Sequence, residues 1–243
     1  MVRRIDTFIR WLSSIATSAI AIGTYAVRSS LQSLVQNSPL ALFILLVIVV
    51  LLSQVADYLI RQGVSKARWI RRYILGRQFV EGYWVDRVIE GGQVESVGLL
   101  TIAYDNGQLE INGESLDTEG RRLGTFRTYI SEYDNWEFRY AYHGMHKGKS
   151  DVRIDGYGEY HFVRGDRIPL AFSGFLHDSR HMKQVLVQAE KVWHPELIAG
   201  ISSKEGRKRI IELFLADQLL QWQVEKGAQR APSPDAREDS SAS

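Results

Sequence analysis

Residues 136–143 read Trp-Glu-Phe-Arg-Tyr-Ala-Tyr-His. Trp136, Phe138, Tyr140 and Tyr142 alternate with Glu137, Arg139 and His143, the period of two expected of a strand with one face buried and the other in water. The same alternation runs outward in both directions. Val80, Gly82, Trp84 and Val88 alternate with Glu81, Tyr83 and Arg87, and Leu109 and Ile111 alternate with Gln108, Glu110 and Asn112. Turn residues separate the runs: Asp105-Asn106-Gly107 joins 98–104 to the next strand, and Arg164-Gly165-Asp166 joins 154–163 to 168–176 as a tight hairpin. Further strands over 124–130 and 183–191 bring the total to about eight between residues 79 and 192. That many meandering antiparallel strands close most economically into an up-and-down barrel, because closure removes exposed edges; an open sandwich is the alternative.

An eight-stranded barrel has an interior large enough for side chains or one small ligand. The expected inner face is aromatic with polar tips, comprising Trp84, Tyr104, Trp136, Tyr140, Tyr142 and Tyr160, with Gly156, Gly158 and Gly174 leaving space between the rings. Such rings either fill a core and spend their hydroxyls at the barrel mouths, or stack a flat polar ligand.

The chain before the barrel is of another kind. Residues 39–56 are apolar on every helical face, whereas a globular helix shows one apolar stripe. With the uncharged approach from Ser29 they can cross a hydrocarbon layer of about 30 Å; a buried core helix is the other reading. Residues 11–27 are uncharged but diluted by serine, threonine and glycine. They form either a first span, with Ser14 and Ser18, and Ala19 and Gly23, admitting a close helix neighbour, or a signal peptide after Arg3 and Arg4. Arg61, Lys66, Arg68, Arg71, Arg72 and Arg77 follow the second span, whereas Arg28 is the sole basic residue between the spans. This bias, with Arg3, Arg4 and Arg10, predicts that the N-terminus and the barrel both face the cytoplasm.

The predicted organisation of the 243 residues is a transmembrane hairpin over 1–60, a basic juxtamembrane linker over 61–78, the barrel over 79–192, a C-terminal helix over 195–226 and a disordered tail over 227–243. The absence of cysteine excludes disulfides, thiolate zinc sites and a cysteine nucleophile. A net charge of +2 is too small for nucleic-acid binding as a whole-surface property. No catalytic constellation is recognisable, so an enzyme is not expected. A histidine-bound metal would require His143, His146, His177 and His181 to converge with a carboxylate such as Asp178, and no metal is expected.

Two membrane helices, a basic segment, and then a barrel opening with Gly82-Tyr83-Trp84 and containing Gly156-Tyr157-Gly158-Glu159-Tyr160-His161-Phe162 and Gly174-Phe175-Leu176-His177-Asp178 form a recognisable order of parts. The chain resembles, over about residues 5–192, the SMODS-associated, two-transmembrane, β-strand-rich effectors of bacterial CBASS antiphage immunity. The resemblance implies a lipocalin-like barrel that senses a cyclic dinucleotide, a homo-oligomer in the inner membrane, disruption of that membrane, and death of the host cell. It implies an activating ligand rather than a cofactor. The long C-terminal helix and the tail have no counterpart in it. A cyclic dinucleotide needs stacking rings and nearby donors or cations. Strand alternation offers Trp84, Tyr140, Tyr142 and Tyr160 for stacking and hydroxyl contacts and Thr128 for a polar contact, with Arg153, Lys147 or Lys149 as a cationic rim. The competing function is a non-enzymatic membrane adaptor or lipid-binding barrel.

Overall fold

The computed structural model describes residues 2–30, 39–105, 107–146, 149–165, 167–178 and 184–229. The chain divides into an N-terminal helical unit and a barrel unit.

In the helical unit, α1 (Val2–Ser30) and α2 (Pro39–Lys66) lie against each other. Both are long and apolar enough to cross a bilayer, over Arg4–Ala26 and Phe43–Lys66. Ser13 Oγ donates to Asp57 Oδ1 at 2.6 Å, and Arg61 Nε donates to Asp57 Oδ2 at 2.7 Å, so one carboxylate joins the two helices and neutralises the nearest cation. The predicted close-approach residues Ser14, Ser18, Ala19 and Gly23 are exposed, and a Cβ added at Gly23 would meet no neighbouring element within 4 Å. The contact with α2 runs through Ser13, and these four small residues are left uncovered. The predicted linker is itself helical. After a break at Ala67 the chain forms α3 (Arg68–Leu75), in which Arg71 is buried and donates to the carbonyl of Val64 at 2.9 Å.

The barrel unit has eight strands: β1 (Gly82–Glu90), β2 (Gln93–Asp105), β3 (Gln108–Leu116), β4 (Arg122–Asp134), β5 (Glu137–His146), β6 (Lys149–Phe162), β7 (Ala171–Asp178) and β8 (Val185–Val192). Each neighbours the next, and β1 pairs with β8 from Tyr83 with Val192 to Ile89 with Leu186, closing the barrel. The turn at Gly91-Gly92 has positive φ at both central residues, as a two-residue hairpin requires. Asn135-Trp136 makes the equivalent turn between β4 and β5, with φ of 46° and 73°. Trp136 therefore lies in a turn and not in the alternation that its neighbours suggest. The connection from β6 to β7 runs over 163–170 and is longer than the predicted tight hairpin at 164–166.

The outer face of β1 to β3 breaks the simple pattern. Val85, Val97, Leu99 and Leu116 point away from the lumen yet are buried, because a helical layer covers them. The segment predicted as one helix forms three: α4 (Pro195–Gly200), α5 (Lys204–Leu215) and α6 (Leu219–Gln229). Ser203 caps α5, its hydroxyl accepting from the Gly206 amide at 3.0 Å, and Asp217 with φ 55° separates α5 from α6. Leu197, Ile210, Ile211, Phe214 and Leu219 complete a core with the four outward residues of the sheet. Most of the predicted tail, 230–243, lies outside the described residues.

Gln223 fixes α6 to the end of β8. Its side-chain oxygen accepts from the amides of Trp193 at 2.7 Å and His194 at 3.0 Å, and its amide nitrogen donates to the Lys191 carbonyl at 3.0 Å. Gln223→Leu keeps the volume and leaves buried amides without acceptors. It is expected to destabilise the barrel unit by about 2–4 kcal/mol in urea unfolding of the detergent-solubilised full chain, read by tryptophan fluorescence.

Candidate functional site

Period two assigns alternate residues to the lumen, and the paired registers state which. Trp84 faces Leu100 across β1 and β2, Asp86 faces Gly98, and Val88 faces Ser96. Across β5 and β6, Phe138 faces Tyr160, Tyr140 faces Gly158, and Tyr142 faces Gly156. Large inner residues thus stand opposite glycines. A Cβ at Gly158 would collide with the Tyr140 ring, one at Gly113 with the Phe126 ring, and one at Gly98 with the Asp86 carboxyl.

One end of the barrel is closed by rings. Trp84 is fully buried, with the Phe162 and Phe172 rings at 5.4 and 5.1 Å and the Lys191 ammonium at 5.1 Å from its own ring. Tyr133 meets Phe138 and Phe162 there at 6.3 and 5.6 Å. Above this plug a cavity of about 180 Å³ opens toward the end that carries the β1–β2, β3–β4 and β5–β6 turns. Its deeper wall holds Asp86, Tyr140, Tyr142 and Tyr160, and its mouth holds Glu95 and His146. The hydroxyls of Tyr140 and Tyr160 are hydrogen-bonded to each other, and burial pushes both phenols well above the usual tyrosine range. Asp86 is 3% exposed. Desolvation pushes its carboxyl up to about 7, against the smaller opposing effect of hydrogen bonds from the Gly98 and Asp86 amides.

The structure brings together three of the six residues selected from sequence, Tyr140, Tyr142 and Tyr160. Trp84 belongs to the plug, its indole N–H donating to the Val80 carbonyl at 2.9 Å. Thr128 is buried in the wall at a bulge, and its hydroxyl oxygen accepts from the Ile111 amide at 2.9 Å, completing the sheet rather than facing a ligand. Arg153 pairs with Met145 and points outward; it is largely exposed, with Nε 2.8 Å from Asp155 Oδ1. It supplies no rim to the lumen, because an odd separation from Tyr160 places it on the other face of β6. The side chains of Lys147 and Lys149 lie outside the described residues. Asp86 was missed, although the parity that puts Trp84 and Val88 inside puts Asp86 there too.

Among the described residues the histidines do not converge. His143 faces outward, its ring stacked at 5.8 Å on Tyr129, while His146, three residues on, lines the lumen mouth. His177 lies against Tyr157 at 5.3 Å; His181 is outside the described residues. Among the described residues no three metal-ligating side chains form a cluster.

A larger groove of about 700 Å³ lies on the outer surface, between β2 to β5 and the segment from Ile201 to Arg207. Its cations already have partners: Arg122 is paired with Glu114, Arg127 Nη2 lies 2.7 Å from Glu110 Oε2, and Arg207 donates to the carbonyls of Gly120, Ile201 and Ser202. The lumen cavity, though smaller, is the place where unusual chemistry has been installed at a cost in stability.

That cost sets a pH dependence. A carboxyl raised in the fold from the usual carboxylate range to about 7 binds its proton more tightly folded than unfolded. The fold is therefore favoured by this group below about pH 4, and the advantage is lost progressively as pH rises to about 7. The difference is on the order of 4 kcal/mol. Asp86→Asn is expected to flatten this part of the profile and to raise stability at pH 8 relative to the native chain, measured by thermal unfolding of both proteins from pH 5 to 8.5. No protein-family model, curated protein or solved structure matches this chain.

Proposed function

We propose that this chain is a membrane-tethered sensor and effector whose barrel takes a flat polar ligand, a cyclic dinucleotide, into the mouth of its lumen. The observation that carries the reading is the convergence of three tyrosines and a buried carboxyl on one cavity with a single open end. Binding sites in barrels occur at such mouths, and polar groups in an otherwise apolar wall fix a ligand's orientation. The cavity's size restricts the pose. An interior space of about 150 Å³ takes one benzene ring, so about 180 Å³ admits one base. The sugar-phosphate ring and the second base then lie across the mouth, near Glu95 and His146.

The CBASS resemblance supplies the rest of the proposal. The two apolar helices anchor the chain in the bacterial inner membrane, with both the N-terminus and the barrel in the cytoplasm. Ligand binding favours a homo-oligomer, the helices rearrange, and the membrane is breached in the course of antiphage defence. The exposed pair of small residues Ser14 and Ser18, one turn apart on α1, supports contact with a second copy. An adaptor barrel holding an acyl chain is less well supported, since such a ligand wants an apolar tube and this one contains a carboxyl and tyrosine hydroxyls.

Two measurements test the proposal. Calorimetry of the detergent-solubilised full chain against a panel of cyclic dinucleotides is expected to find a binder, and Tyr142→Ala to weaken it by about 1–3 kcal/mol through lost stacking. Binding by no member of the panel overturns the ligand assignment. In cells, the protein is expected to stay in the membrane pellet after alkaline extraction and to report a C-terminal tag from the cytoplasm. A periplasmic tag overturns the topology.

A further inference from the structure

A barrel lumen is a poor place for a carboxyl. Asp86 is 3% exposed, sits midway along β1 between the Trp84 plug and the mouth, and has no cation among the groups that govern its ionisation. Its position is built. Gly98 stands directly across the strand pair, and any side chain there would occupy the space of the Asp86 carboxyl. Tyr140 and Tyr160 flank it, close enough for its charge to bear on both phenols. A carboxyl kept in a ringed cavity large enough for one heterocycle, and not needed to neutralise a cation, has the chemistry of a base-reading acceptor.

We infer that Asp86 reads the base that enters the lumen, and that it selects guanine by accepting hydrogen bonds from the two adjacent N–H groups of the guanine edge. This rests on the proposed nucleotide reading and adds base specificity to it. A carboxylate has acceptor oxygens only, spaced for two parallel donors, and charge-assisted bonds of this kind are among the strongest in proteins. Adenine presents one donor and one lone pair on its corresponding edge, and uracil one donor between two carbonyls. Each sets at least one lone pair against the carboxylate. Tyr140, Tyr142 and Tyr160 enclose the base and strengthen the contact by excluding water.

The other ionisable groups around the cavity do not share this role. Glu95 and His146 are at the mouth, burial pushes the Tyr140 and Tyr160 phenols further up, and Lys191 sits over the Trp84 ring, outside the cavity lining. Guanine binding therefore holds Asp86 ionised and competes with its proton. With the carboxyl titrating near 7, affinity for a guanine ligand rises about tenfold from pH 6 to pH 8, and binding at pH 6 releases a proton.

Calorimetry of the full chain in mild detergent, with cyclic di-GMP, cyclic di-AMP and cyclic di-UMP at pH 6 and pH 8, tests the inference. The native protein is expected to prefer cyclic di-GMP, with the tenfold pH effect and with heats that depend on the buffer at pH 6. Asp86→Asn, which presents one acceptor and one donor, is expected to bind cyclic di-GMP about thirtyfold more weakly and to gain affinity for cyclic di-AMP. Gly98→Ala, which displaces the carboxyl, is expected to lose the guanine preference while leaving Asp86 in place. A native protein that prefers adenine or uracil, or whose guanine preference survives both substitutions with no pH effect, overturns the role of Asp86 and leaves the nucleotide reading standing. A native protein that binds none of the three ligands overturns both.

Discussion

Closure is the constraint on which the barrel unit depends. Once β1 pairs with β8, every strand has two partners and the inner positions away from the open mouth are removed from water whatever their chemistry. The volume enclosed is fixed by the strand number, so the inner residues must fill it by matching large to small. The pairs found are Tyr140 with Gly158, Phe126 with Gly113, and Asp86 with Gly98. The first two pack apolar surface and favour the fold directly. In the third, space is reserved for a group that costs the fold free energy when ionised, which is why it reads as functional and not as filling.

Closure also accounts for the C-terminal helices. The inner faces alone do not exhaust the apolar residues of β1 to β3; Val85, Val97, Leu99 and Leu116 face outward. Without α4 to α6 they would form an exposed apolar patch on a barrel wall, of the kind that drives association. The helical layer is thus part of the barrel's own core. Its attachment is polar at both ends, through Gln223 to the end of β8 and through Arg207 to the Gly120 carbonyl at 3.2 Å. Lys208 adds a contact with Glu119 at 2.7 Å beside it, an exposed pair that contributes little energy but helps fix the register of α5 on the turn.

Much of this architecture was legible in the residues, because two periodicities carry it. An all-round apolar run gave α2 and alternation gave the strands, with Tyr140, Tyr142 and Tyr160 inside. The errors arise where local pattern meets geometry that it does not encode. Trp136 continues the alternation of β5 by letter, but Asn135 and Trp136 take positive φ to turn the chain, a role usually given to Asn-Gly. Thr128 is paired with Tyr142 and shares its inward parity, yet the bulge beside it turns its hydroxyl to the Ile111 amide and away from the ligand contact expected of it. Arg153 was selected for its charge, and parity from Tyr160 would have sent it outside. Asp86 is the converse case: an acid suggests surface by letter, while parity with Trp84 and Val88 places it inside, opposite Gly98.

The same reasoning bears on the helical unit, where the solvent decides the worth of each contact. Asp57 would be an ordinary surface carboxylate in water, and its pair with Arg61 at 2.7 Å would contribute little there. Near the basic end of an apolar helix both charges need each other, and the Ser13 hydroxyl at 2.6 Å then ties α1 to that pair. In lipid, helices gain nothing from hiding apolar side chains from one another, so their association rests on such polar contacts and on close packing of small residues. This chain separates the two devices. The Asp57 contact is spent within the hairpin, while Ser14, Ser18, Ala19 and Gly23 stay exposed along α1.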